Sequence, residues 1–64
     1  MFNNLIAEMA RNKITNEKIA VAIERNPNTV SQKMLGKVEF TRKEMWTIKE
    51  KFFPDLSIDY LFDC

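Results

Sequence analysis

The stretch "TNEKIAVAIERNPNTVSQKMLGK", residues 15–37, contains the start and stop signals of two short helices with a brief turn between them. Thr15 is a candidate N-cap for the first helix. Asn26 and Pro27 predict the start of the second, because asparagine accepts bonds from free N–H groups and proline at the first helical position has no N–H to leave unpaired. Gly36 follows the last turn as a C-terminal stop.

Apolar residues at helical spacing predict the inner faces of both helices: Ile19, Ala20, Ile23, Val30 and Met34. Only residues 24–26 separate the two helices. A connection of that length is typical of helix-turn-helix units, whose helices cross at roughly 90–120°. The small side chain of Ala20 allows the second helix to approach closely.

Three further helices are predicted around this pair. The first runs from about Asn4 to Asn12, with an inner stripe of Leu5, Ile6 and Met9. A later helix starts at a capping box, in which Thr41 caps forward and Glu44 reaches back, and Phe40 and Met45 stand at the positions of a hydrophobic staple. Its inner stripe is Met45, Ile48 and Phe52, and Pro54 ends it. Ser57 caps a last short helix from Ile58 to about Phe62. The sequence therefore predicts an all-α fold of five helices.

Length and composition allow one small domain, residues 1–64, and exclude several classes of function. The chain has no histidine, so a zinc site or a histidine-based catalytic unit has almost nothing to build from. There is no phosphate-binding loop, and no ligand, metal or cofactor is indicated. We expect the protein not to be an enzyme.

No apolar run approaches the roughly 18 residues that span a membrane, and no signal peptide opens the chain. We therefore expect a cytoplasmic protein without a membrane partner. The single cysteine, Cys64, excludes an internal disulfide. It is expected to be a free thiol in a reducing compartment, the alternative being a link between two chains.

The net charge of +1 is unevenly distributed along the chain. Residues 1–43 contain eight basic and four acidic side chains, whereas residues 44–64 contain two basic and five acidic ones. A cationic front and an acidic back are consistent with an anionic partner on one side of the molecule.

In the order and spacing of its signals, the chain resembles the phage repressor family of the Cro type, also called the XRE family. The features that it shares with this family are Ile19, Ala20 and Ile23 on the first helix, Asn26 and Val30 on the second, Gly36-Lys37 after it, and "LSIDYLF" at residues 56–62. The resemblance covers about residues 5–62. It implies a compact lambda-repressor-like DNA-binding domain whose helix-turn-helix spans about residues 15–36 and whose helix 27–35 enters the DNA major groove.

Three positions depart from the family pattern. Glu24 replaces the usual glycine in the turn, and a positive φ there costs roughly 1 kcal/mol against glycine. Lys33 stands where relatives place an apolar residue, which makes the rotation of the helix uncertain by about a quarter turn. Glu39 lies where relatives often carry basic residues and is expected to weaken phosphate binding.

On the second helix, steps of 100° per residue from an inward Val30 place Pro27 inward as well. The amides of Asn28 and Gln32 then lie almost straight outward. Thr29 lies on one flank together with Lys33, and Ser31 on the other. By resemblance, the base-reading residues are Asn28, Thr29 and Gln32, with Ser31 a further candidate. The chemistry agrees, because an amide matches the N6/N7 edge of adenine and hydroxyl groups can serve most bases. The alternative is the ordinary polar face of a solvated helix.

Two further surfaces follow from the same expectation. The candidate phosphate contacts are Asn16, Lys33, Lys37, Arg42 and Lys43, with the alternative that the basic residues are solvated surface charges. Few cations imply weak binding by one protomer, so a homodimer on a palindromic site is expected. The candidate dimer surface is an aromatic patch of Trp46, Phe53, Tyr60 and Phe62, with the alternative that the small core encloses these rings.

The sequence thus favours a sequence-specific, double-stranded-DNA-binding transcription regulator, a phage- or prophage-encoded repressor that occupies an operator. The chain is either a complete small repressor or the N-terminal domain of a longer one. The alternative is a protein-interaction module on the same fold, such as an antirepressor or another phage-encoded inhibitor, which the low net charge and Glu39 leave open.

Overall fold

The computed structural model describes residues 2–63 and shows five α-helices and no strand within that range. The helices are α1 (Asn3–Arg11), α2 (Asn16–Ile23), α3 (Pro27–Met34), α4 (Arg42–Phe52) and α5 (Ile58–Leu61). The predicted all-α class, the order of the helices and their bounds to within about one residue are confirmed. The predictions for Cys64 lie outside the described residues.

Four helices begin at the side-chain caps that the sequence predicts: Thr15 for α2, Asn26 for α3, Thr41 for α4 and Ser57 for α5. The capping box of α4 is complete. The Thr41 hydroxyl accepts the Glu44 N–H at 3.1 Å, and the Glu44 carboxylate accepts the Thr41 N–H at 3.0 Å. Each cap satisfies backbone donors that the helix itself leaves unpaired.

Three helices end in the same way, with one residue in the left-handed conformation at Lys13, Glu24 and Gly36. After α3, the Lys37 N–H donates to the Gln32 carbonyl at 3.0 Å, which is the hydrogen bond of a Schellman motif. Gly36, the predicted C-terminal stop of α3, has a φ of 83°. Glu24, in the turn after α2, also has a positive φ, of 58°. A non-glycine residue in this conformation costs roughly 1 kcal/mol.

The core draws one completely buried aliphatic side chain from each helix: Leu5, Ile19, Val30, Ile48 and Leu61. Three rings, Phe2, Phe40 and Phe62, pack edge to face with centroids 5.2–5.7 Å apart. Two predicted inward positions are wrong. Ile6 is 38% exposed because α1 turns Glu8 toward the protein instead, and Pro27 is exposed at the start of α3.

The helices pack so that α2 contacts both α3 and α4, while α5 contacts α1 and α4. Residues 24–26 connect α2 to α3. The Cα radius of gyration is 10.3 Å, close to the ~11 Å expected for a compact domain of this length. Within residues 2–63, the helices are too short and too polar to cross a lipid bilayer.

Candidate nucleic-acid interface

The outer face of α3 carries the side chains that the sequence assigned to base reading. Asn28 and Gln32 are exposed, and Thr29 and Ser31 are half-buried at its flanks. The opposite face is fixed by Val30, which is completely buried. Within residues 2–63, neither the Asn28 nor the Gln32 amide has a side-chain hydrogen bond, so both keep their donors and acceptors available.

The backbone of this helix is held independently of those amides. The Asn26 side chain accepts the Asn28 N–H at 2.8 Å, and Pro27 occupies the first helical position. At the other end, the Schellman motif at Gly36 closes α3. The outward amides of Asn28 and Gln32 therefore have no part in defining where the helix starts or stops.

Lys33 is buried, which contradicts its prediction as an outward phosphate contact. Its side chain is 5% exposed, and its ammonium lies 2.8 Å from a Glu44 carboxylate oxygen and 2.9 Å from the Glu39 carbonyl oxygen. The same ammonium lies 5.6 Å from the centre of the Phe40 ring. These contacts compensate the charge, so a lysine occupies the inward position that an apolar residue would otherwise fill.

The burial of Lys33 also fixes the rotation that its charge had put in doubt. Lys33 and Met34 both face inward, beside Val30. Because no quarter-turn shift is needed to bring Lys33 outward, the outward strip of α3 is centred on Asn28 and Gln32 as the 100° steps predicted.

Glu44 connects three segments of the chain through its two carboxylate oxygens. One oxygen accepts bonds from Lys33 and from the Thr41 N–H, and the other accepts from the Arg25 Nε at 2.8 Å. Burial by itself raises the pKa of Glu44, but the hydrogen bonds from Lys33, Arg25 and Thr41 and the charge of Lys33 outweigh it. The net effect lowers the pKa from 4.5 to about 2.

Sequence reasoning assigned Glu44 only to the capping box and gave Arg25 no role. The local signal for Glu44 was correct but incomplete, because a carboxylate has two oxygens and each can accept more than one bond. The partners Lys33 and Arg25 lie 11 and 19 residues away along the chain. No local sequence pattern predicts a contact between residues that lie so far apart along the chain.

The remaining candidate phosphate contacts lie around α3 on different elements. Lys37, Arg42 and Lys43 are exposed and form no ion pair within the described part of the chain. Arg42 is the first residue of α4, where the positive end of the helix dipole adds to its charge. Asn16, the first residue of α2, is half-buried.

Two surface grooves show which of these residues the fold brings together. Asn16 and Ser31 line one groove, which is bounded by α1, the start of α2 and the flank of α3. Lys43 lines another groove with Arg25 and Glu44, between the end of α2 and the start of α4. The α2 terminus is thus adjacent to α3, whereas Lys43 lies beside the turn that precedes α3.

The predicted aromatic patch is not a single exposed surface. Phe53 is 3% exposed, because the chain leaves helical geometry there and turns the ring into the core. Phe62 is half-buried against Phe2 and Phe40. The core encloses these two rings, as the alternative interpretation held.

Two members of the patch remain at the surface. Trp46 is 54% exposed on α4, and Tyr60 is 38% exposed on α5. The Tyr60 hydroxyl donates to a Glu8 carboxylate oxygen at 2.8 Å, and that bond raises the pKa of Tyr60. Of the four rings, Trp46 has the largest area available for a partner.

Comparisons with known proteins give no relative: no protein-family model, no curated protein and no solved structure matches the chain. In the part of the chain that the structure describes, no three metal-ligating side chains come together. The assignment of a function therefore depends on the surface chemistry of residues 2–63.

Proposed function

We propose that the chain is a sequence-specific DNA-binding transcription regulator, a Cro-like repressor encoded by a phage or prophage. In this proposal the fold is lambda-repressor-like, α2 and α3 form its helix-turn-helix, and α3 enters the major groove. The observation that carries the proposal is the pair of exposed, unbonded amides of Asn28 and Gln32 on a helix that is capped at both ends and fixed to the core.

The chemistry of that strip suits the edges of base pairs. The Asn28 and Gln32 amides each donate and accept at once, which matches the N6 and N7 atoms of adenine. Thr29 presents a hydroxyl and a methyl group, and the methyl group can contact the thymine methyl. Ser31 borders the strip on the side of Asn16 and can reach a base or a phosphate.

Affinity in such a complex comes mainly from phosphates, and here the cations are few. Lys37, Arg42 and Lys43 supply three positive charges per protomer, and the N–H groups at the start of α2, beside Asn16, add dipolar contacts. Exposed Glu39 opposes them. A second protomer on a palindromic site doubles these contacts, and the exposed ring of Trp46 is the candidate contact between the two copies.

The second candidate function is a protein-interaction module on the same fold, of the antirepressor or inhibitor type. The exposed indole of Trp46 favours it, because tryptophan is enriched where protein interfaces are most buried. The net charge of +1 and the exposed carboxylate of Glu39 also suit a protein partner better than DNA.

Selection from a pool of double-stranded oligonucleotides with a randomised centre tests the proposal. We expect a consensus to emerge and to shift in a gel at low salt more strongly than bulk DNA does. Asn28→Ala and Gln32→Ala should each weaken that complex about tenfold, since a bidentate contact discriminates by roughly 1–3 kcal/mol. Asn3→Ala, which removes an exposed amide on α1, is the matched control and should change nothing.

Circular dichroism of each variant confirms that the helices are retained. Failure of the native chain to bind even bulk DNA at low salt would overturn the proposal and favour the protein-interaction candidate. Sedimentation of the complex on a palindromic duplex gives the stoichiometry, which we expect to be two protomers per duplex.

A further inference from the structure

The cluster of Lys33, Glu44 and Arg25, in which Lys33 and Glu44 are buried, has no part in the DNA contacts proposed above. It joins the turn before α3, the inner face of α3 and the N-terminus of α4 through one carboxylate. Lys33 follows Gln32 in sequence, and Glu44 follows Lys43. Two members of the cluster are therefore sequence neighbours of a proposed base reader and of a proposed phosphate contact.

We propose that Lys33, Glu44 and Arg25 are positioning residues of the DNA site. They fix the rotation of α3 relative to the start of α4, so that the amides of α3 and the cations of α4 meet one DNA duplex in a single register. This inference rests on the proposed DNA-binding function and concerns how that same site acquires its specificity.

A buried ion pair is a poor source of stability compared with apolar packing. Removing two charges from water is expensive, and apolar residues of similar volume often stabilise a core as well or better. Val30 and Met34 already supply the apolar contacts of α3 with the core. Burial of apolar surface therefore does not explain why a lysine occupies position 33.

A hydrogen-bonded ion pair requires its two groups to meet in a defined position and orientation, whereas apolar contacts do not. The Lys33 ammonium has two oxygen partners at 2.8 and 2.9 Å, from Glu44 and from the Glu39 carbonyl, and these define where the end of its side chain lies. Glu44 is in turn oriented by the Thr41 N–H and by Arg25. A rotation of α3 by a fraction of a turn would break these short bonds inside a medium that offers no water to replace them.

A neutral double variant, Lys33→Met with Glu44→Gln, separates positioning from stability. Methionine fills the space of the lysine stem, and glutamine keeps the capping-box acceptor for the Thr41 N–H. Arg25 loses its partner but has a half-exposed side chain that water can solvate. No buried charge remains unpaired, so we expect a folded protein by circular dichroism and thermal unfolding.

The expected result is a loss of specificity without a loss of general DNA affinity. Binding to the duplex selected by the native chain should weaken about tenfold or more, since small misplacements of contact groups are costly, while binding to bulk DNA changes less than about twofold. An unchanged ratio of specific to bulk affinity in the folded double variant overturns the positioning role. If the double variant does not fold, Lys33→Met alone is measured with the same criterion, because Glu44 then keeps Arg25 and Thr41 as partners.

Glu8→Gln is the matched control, because Glu8 is the other nearly buried, ion-paired carboxylate but lies on α1. It should leave the affinity ratio unchanged, and a similar loss of ratio in this variant would contradict the proposal. The two proposals fail separately. If the native chain selects no sequence, the DNA-binding function fails, whereas if it selects one that the double variant reads equally well, only the positioning role fails.

Discussion

Glu8 and Glu44 are two nearly buried carboxylates that each join two helices, yet their surroundings differ. Glu8 links α1 to α5 through Tyr60 and also pairs with Arg11, whose side chain is 67% exposed. Glu44 links α3 to α4 through Lys33, which is almost completely buried. The partner of Glu8 can return to water when the pair is broken, and the partner of Glu44 cannot. The cost of removing one member of an ion pair is therefore set by how accessible the remaining member is to water.

The largest difference is expected when each carboxylate is removed. Glu44→Ala should lower the free energy of unfolding by about 3–5 kcal/mol, because it leaves the Lys33 ammonium buried and unpaired and also removes half of a capping box. Glu8→Ala should lower it by only about 1 kcal/mol, because Arg11 and Tyr60 regain water. Urea unfolding followed by far-ultraviolet circular dichroism measures both.

A chain of this length has a total stability of roughly 3–10 kcal/mol, so Glu44→Ala should remove about a third of that stability or more. Equal losses in the two variants would show that the exposure of the partner does not decide the effect, and the comparison would fail.

Acid should remove the stabilisation that Glu44 provides, because the pKa of this carboxyl group is lowered in the folded protein. Because the pKa of Glu44 is about 2 in the folded protein and near 4.5 otherwise, the unfolded chain binds its proton first. The stabilisation from Glu44 is thus complete above about pH 5 and is lost as the pH falls toward 2, by about 3 kcal/mol in all. Urea midpoints measured from neutral pH down to the acid limit test this.

Glu44→Gln is the control for the acid experiment, because it removes the titrating group and keeps the cap. Its stability is lower at neutral pH but should fall less steeply between pH 5 and pH 2. An identical slope in the native chain and in this variant would assign the acid sensitivity to other carboxylates.

Replacing the basic partners of the two carboxylates should give a smaller difference in the free energy of unfolding, in the same direction. Lys33→Met leaves the Glu44 carboxylate with two of its three partners and should lower the free energy of unfolding by about 1–2 kcal/mol. Arg11→Met should change it by less than about 0.5 kcal/mol, as for other exposed pairs. Thermal unfolding of the two single variants and of Lys33→Met with Glu44→Gln measures this.

In the double variant most of the loss should be recovered, because neither side chain then carries a buried charge. Additive losses from the two substitutions would show that the residues do not act as a pair.

The helices could be predicted from sequence because their signals are local. Thr15, Asn26, Thr41 and Ser57 each act within three residues, and Gly36 supplies a conformation that other residues adopt at a cost. Helical spacing was less reliable. It placed Ile6 inward and gave Glu8 no inward position, whereas the hydrogen bond from Tyr60, 52 residues away, favours a rotation of α1 that turns Glu8 inward.

The candidate site was predictable on its outer face and not on its inner face. Asn28 and Gln32 follow from the position of Val30 and a fixed step per residue. Lys33 was misplaced because a charged residue is almost never buried unless it is paired, and its partner Glu44 belongs to another helix. Phe53 was misplaced because the 100° step ceases to apply one residue beyond the end of α4.

The smallest effect is expected at the contacts of Glu8, where the titration of the Tyr60 hydroxyl reports directly on the hydrogen bond to Glu8. The hydrogen bond to Glu8 raises the pKa of Tyr60 above its ordinary value of 10.0, because the phenol must keep its proton to donate to a carboxylate. Any stabilisation from this bond is present below pH 10 and is lost as the pH rises through the raised pKa.

Tyr60 is the sole tyrosine of the chain, so the near-ultraviolet absorbance of phenolate follows it without interference from another phenol. Glu8→Gln should return the titration toward the ordinary value, whereas Glu44→Gln should leave it unchanged. Glu8 and Glu44 have no partner in common, so their contacts should be independent. A shift of the Tyr60 titration in Glu44→Gln would instead show that the two sets of contacts are coupled.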